Sequence, residues 1–126
     1  MLSSEYYVSF QTAEMLKEKG FNERCESLYK DDGSFTRTLS SSNDDWRSEG
    51  FCSRPMLCQV QKWFRDRNIE VGSQLFDSEH GWFFYVQSFS DVDNYDYNGS
   101  SPDTYPTYED ALDRGLRDAL KLIKTE

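Results

Sequence analysis

Apolar positions along this chain keep two rhythms, one helical and one alternating, and their order predicts an architecture. Phe10, Ala13 and Leu16 recur at helical spacing over Phe10–Lys19, with Ser9 placed to cap the start and Gly20 to end it. Cys25–Lys30 and Ser34–Leu39 flank Asp31-Asp32-Gly33, and Asp-Gly readily supplies the positive φ of a hairpin turn. A second helix is expected with Ser53 as its cap and Pro55 in its first turn; Leu57, Val60, Trp63 and Phe64 form its stripe, and it should end near Asn68. Ile69–Phe76 then alternates apolar Ile69, Val71 and Leu75 with Glu70, Gly72 and Gln74, as a half-buried strand does. Trp82–Phe89 is apolar at both phases, which predicts a central strand covered on both faces. Asp77–Gly81 has the composition of a loop joining these two strands as an antiparallel hairpin.

The last element carries the widest stripe. Thr107 with Asp110 has the spacing of a capping box, and apolar positions recur from Tyr108 to Ile123. Leu112, Leu116, Ala119 and Leu120 are expected to be buried against a sheet, and Gly115, on the same side, to allow close approach of a neighbour. Asp110 with Arg114 and Asp113 with Arg117 are spaced as ion pairs on the polar side. The order is helix, hairpin, helix, hairpin, helix. This predicts a single α+β domain over 1–126, its helices packed on one mostly antiparallel sheet.

Two stretches lack a period. Residues 40–52 are rich in turn formers and read as a loop pinned by Trp46 and Phe51. Residues 90–106 hold Asp91, Asp93, Asp96 and Asp103 with Tyr95, Tyr97 and Tyr105 and no basic residue, and read as an acidic, tyrosine-bearing loop.

Composition narrows the classes. The chain has 126 residues, long enough for one core, and its 16% aromatic content offsets a hydrophobic fraction of only 37%. Fourteen basic residues against 23 acidic ones leave a net charge of −9, which repels phosphate backbones and disfavours direct nucleic-acid binding. No apolar run approaches the ~20 residues that span a bilayer, and Met1-Leu2-Ser3-Ser4-Glu5 lacks a signal peptide's basic and apolar stretches, so a cytoplasmic location is expected. Three cysteines, Cys25, Cys52 and Cys58, are too few and too irregular for a disulfide framework and are expected to be thiols.

Three stretches together resemble a family of small uncharacterised proteins encoded by gut anaerobic bacteria and their phages or other mobile elements. They are Ser9 to Phe21, with Leu16-Lys17-Glu18-Lys19-Gly20-Phe21; Pro55 with Gln61-Lys62-Trp63-Phe64-Arg65 and Asn68-Ile69; and Thr107-Tyr108-Glu109-Asp110-Ala111-Leu112 with Gly115-Leu116 and Ala119 to Ile123. The resemblance covers about half the chain and implies the same α+β order. It implies no activity, and it gives no guidance for residues 40–52.

Candidate chemistry is sparse. His80 is the single histidine; it sits in the expected turn, with no nucleophile-elbow pattern anywhere in the chain. Cys25, Cys52, Cys58 and His80 lack the paired spacing of a zinc site. Asp91, Asp93, Asp96 and Asn98-Gly99 offer oxygen ligands but do not match an EF-hand loop. No phosphate-cradling glycine motif occurs, so no metal or cofactor is expected. Arg54, Cys58, Lys62 and Arg65 are expected to form a basic stripe on the outer face of the second helix, with Cys58 exposed. The leading expectation is a non-enzymatic protein-interaction or accessory protein of a mobile element. Its protein partner would be met by Asp93, Tyr95, Asp96, Tyr97 and Tyr105, because tyrosine gives much contact area for little lost side-chain freedom. The alternative is a small ligand-binding domain or enzyme with a pocket between sheet and helix.

Overall fold

Ser9, in extended conformation, accepts a hydrogen bond from the Thr12 amide and starts α1 (Phe10–Glu18); Gly20, at φ +92°, lets the chain leave it. This is the first α-helix of a computed structural model that describes residues 4–46, 50–88 and 97–123. The fold is α+β, with three α-helices and two three-stranded antiparallel sheets among the described residues. One unit comprises Met1–Met56 with Ile123–Glu126, the other Leu57–Leu122.

In the first unit β1 (Cys25–Tyr29) pairs with β2 (Phe35–Ser41) through the expected hairpin. Its turn closes by hydrogen bonds from Gly33 N to Lys30 O and from Lys30 N to Ser34 O, with Gly33 at φ +86° and Asp32 accepting from the Ser34 amide. The described part of the stretch expected to be a loop holds regular elements instead, joined through Asn43. After a 3-10 turn at Asn43–Trp46, β3 (Cys52–Ser53) pairs with β1 on the side opposite β2. The Asn43 side chain is buried; its Nδ2 donates to Phe21 O at 2.7 Å and its Oδ1 accepts from Ser53 N at 2.8 Å, which ties β3 to the end of α1. Phe51 is half-buried, and its carbonyl accepts from the Lys17 ammonium. Trp46's side chain lies outside the described residues. Val8, Ala13, Leu16, Phe21 and Leu28 fill the core of this unit.

In the second unit α2 (Leu57–Arg65) begins later than its sequence suggests. Ser53 belongs to β3 and caps nothing. Asn68, at φ +64°, turns the chain out of the helix into β4 (Ile69–Asp77). β4 pairs along its length with β5 (Gly81–Ser88), and Gln61 Nε2 reaches Val71 O at 2.9 Å, covering part of the β4 edge. A third strand, β6 (Tyr97–Ser100), lies on the far side of β5, where a loop was expected. β5 is therefore central, but only Phe84 and Val86 are buried; Phe83 and Tyr85 on the opposite face are half-exposed, so the double covering is not realised. Two sheets thus stand where the hydrophobic pattern suggested one.

α3 (Tyr108–Leu120) is capped by Thr107, which accepts from the Asp110 amide at 3.0 Å. It packs on β4 and β5 with Leu112, Leu116, Ala119 and Leu120 at 2% exposure or less. A β-carbon on Gly115 would stand 2.9 Å from that of Phe84, so the helix needs glycine there to come this close. Arg117 pairs with Asp113 as expected, whereas Arg114 pairs forward with Asp118 rather than back with Asp110.

Candidate functional site

Pro55 decides where Arg54 goes. A residue before proline is pushed out of the helical region, so the chain stays extended past Ser53: Arg54 N donates to Ser27 O at 3.0 Å, and Val8 N donates to Pro55 O at 3.1 Å. Arg54 therefore does not join an exposed basic stripe on α2. It is 5% exposed, in the first unit, where its guanidinium lies between the rings of Tyr7 (4.0 Å to the centroid) and Phe35 (3.7 Å), with Tyr29 at 5.5 Å. Nη1 donates to Ser27 Oγ at 3.2 Å and Nη2 to Ser4 Oγ at 3.4 Å, while Nε has no hydrogen-bond partner. Among the described residues no carboxylate pairs with it.

The guanidinium lines a pocket of about 550 Å³ between the face of the β2–β1–β3 sheet and the N-terminal segment, with Tyr7, Glu26, Ser27, Phe35 and Arg37 on its wall. Its volume is that of a small-molecule site. Arg37 and Glu26 are exposed at the mouth and, like Arg54, have no ion-pair partner among the described residues. The Ser27 hydroxyl, accepting from Arg54, donates to Thr36 O at 3.1 Å and is thereby held in one orientation.

Comparison with protein-family models, with curated proteins and with solved structures finds no match for this chain. The pocket is read from its own chemistry. Removing a charge from water costs several kcal/mol, and a buried arginine without a carboxylate recovers part of that through ring faces worth ~2 kcal/mol each and two hydroxyl bonds. A five-donor fork with two bonds made can still receive an anion, and planar oxyanions match its geometry.

Of the binding residues expected from sequence, Tyr105 alone is described with its side chain. Asp93, Tyr95 and Asp96 fall outside the described residues, as do Asp91 and the side chain of Tyr97, whose backbone is in β6 opposite Ser88. Tyr105 is not in a loop: its backbone bridges Trp82, with Trp82 N to Tyr105 O at 2.9 Å and Tyr105 N to Trp82 O at 2.7 Å, and its half-buried ring lies 6.3 Å from that of Phe84. His80 is in the expected turn, its Nδ1 2.8 Å from Asp77 Oδ2. The hydrogen bond from the His80 amide, followed by that from its ring, holds the Asp77 carboxyl below the usual range. Cys25 and Cys52 are buried, Cys58 is exposed, and no described group of histidine, cysteine, aspartate or glutamate side chains is arranged to hold a metal ion. Burial, and then the Glu14 carboxylate, push the Cys52 thiol up to about 11, which leaves it protonated at neutral pH.

Proposed function

We propose that this protein is a non-catalytic binding protein that holds a small oxyanion, a carboxylate or a phosphate monoester, on the Arg54 guanidinium. The observation that supports this is a cation 5% exposed that faces a pocket and has no carboxylate partner among the described residues. Binding rather than turnover fits the pocket wall, where the fixed hydroxyl of Ser27 is bonded to Arg54 and to a carbonyl, with no histidine or thiol beside it. The net charge of −9 favours a single anionic group in a recess over an extended phosphate backbone. The resemblance of three sequence stretches supports an accessory role in a mobile element, in the cytoplasm, with the anion free or displayed by a protein partner. Among the described residues no helix is long and apolar enough to cross a membrane.

The test is a titration of the isotopically labelled chain with acetate, propionate and phosphate, followed by amide and arginine Nε–H resonances. Saturable shifts at Ser27, Thr36, Arg37 and Arg54, weakened in Arg37→Gln and by added chloride, are expected. Absence of saturation by every anion at millimolar concentration overturns the reading.

A further inference from the structure

The pocket wall holds charge of both signs, and among the described residues neither is engaged in an ion pair. Arg54 and Arg37 lack carboxylate partners, and Glu26 lacks a cationic one, among the described residues. All three nevertheless line the same recess. The pairing of β1 with β2 is irregular beside the pocket: Cys25 faces Ser41 and Ser27 faces Arg37, so the extra residues lie on β2, opposite Glu26. Glu26 and its neighbour Ser27 both border the pocket.

A site for a plain anion would gain nothing from a carboxylate at its mouth, which repels the ligand. The same carboxylate is useful if the ligand brings a cation as well. We infer that the pocket is built for a small zwitterion, a molecule with a carboxylate for Arg54 and an ammonium for Glu26, of which α- and ω-amino acids are the simplest class. Phe35 adds to the fit. It is 52% exposed although one ring face covers Arg54, so its remaining surface offers apolar contact to the carbon skeleton between the two charges. Arg37 stands across the strand pair from Ser27 and favours the carboxylate end during approach.

This inference rests on the Arg54 reading, and its test separates the two. The full chain is titrated with a zwitterion and with the matching carboxylate that lacks the amine: alanine against propionate, then glycine and longer ω-amino acids against their parent acids. Each series is repeated with Glu26→Gln and Arg37→Gln, both exposed positions whose replacement leaves the core intact. The expected result is a preference for one zwitterion of about tenfold or more, the size of one charge-assisted hydrogen bond. Glu26→Gln should abolish that preference while leaving propionate binding unchanged or tighter, and Arg37→Gln should weaken both ligands together. If propionate binds as tightly as every zwitterion, or if Glu26→Gln leaves the preference in place, the zwitterion inference is overturned and anion binding at Arg54 stands. If no ligand bearing a carboxylate binds, the zwitterion inference is overturned, and if phosphate fails to bind as well, both are.

Discussion

Replacing Arg54 by methionine separates a binding residue from a structural pillar by the sign and size of one number. Arg54→Met removes two hydroxyl hydrogen bonds and the stacking of a cation between Tyr7 and Phe35. The hydrogen bonds contribute roughly 1 kcal/mol each, and the two ring faces about 2 kcal/mol each when desolvated. Against this loss of about 6 kcal/mol stands the removal of a buried charge whose effective desolvation cost is several kcal/mol, with no carboxylate among the described residues to compensate it. Methionine keeps similar length and recovers sulfur–aromatic contact of roughly 1 kcal/mol per ring. These opposed effects nearly cancel, so the variant is expected to unfold within about 1 to 2 kcal/mol of the parent. Urea denaturation followed by tryptophan fluorescence measures this, and the same protein is then titrated with propionate. Near-parental stability with lost anion binding is the expected pair of results. A loss of 3 to 5 kcal/mol, roughly that of breaking a satisfied buried interaction, would refute the reasoning, because the guanidinium would then be fully compensated within the fold and have nothing left to offer a ligand.

Other positions give independent checks. Gly115→Ala gains about 1 kcal/mol in helix propensity but drives a methyl group to 2.9 Å from the buried Phe84 side chain; overpacking of 1 to 3 kcal/mol should dominate, with a lower melting temperature. Leu116→Ala, at a fully buried position, should cost roughly 2 to 5 kcal/mol by denaturant midpoint. A thiol reagent at neutral pH should label Cys58 in the folded protein and reach Cys52 only after unfolding, as intact-mass measurement can establish. Because the Cys52 pKa is raised from 9.0 to about 11, the unfolded chain releases its proton first, so stability should fall as pH rises through that interval, and fall less steeply in Cys52→Ala.

Most of the elements were legible because they obey single-period rules. Ser9, Gly20, Thr107 and the α3 stripe mark helix ends and faces by local chemistry alone, and Gly115 on an apolar face announced the close approach that Phe84 makes. The Asp31-Asp32-Gly33 turn was equally local. The two unforeseen strands are short and polar. β3 is held by pairing to β1 and by the Asn43 side chain, ten residues earlier in the chain, and β6 contains Asn98-Gly99-Ser100, residues that favour turns when no neighbouring strand supplies hydrogen bonds. Sheet edges of this kind depend on a partner, which no window along the chain contains. That dependence also explains the number of sheets: the hydrophobic pattern specifies which residues pair locally, and it does not say whether two hairpins join.

The site was missed for a narrower reason. Arg54 was assigned to a helix because Ser53 and Pro55 satisfy the usual start signals, and on a helix it fell in phase with Cys58, Lys62 and Arg65. The competing signal was present in the same three residues: an arginine directly before proline is biased to extended backbone, and an extended arginine two residues after Cys52 continues a strand. Even that reading would stop short of the pocket. Tyr7, Ser27, Phe35 and Arg54 come from four separate segments, and what distinguishes Arg54 from the exposed Arg37, which also has no ion-pair partner among the described residues, is its burial. An exposed guanidinium without a counter-ion is solvated by water at little cost. A guanidinium buried against two rings, with no carboxylate partner among the described residues, recovers only part of its desolvation cost within the fold, and donors left over in that way are what a binding site offers to an anionic ligand.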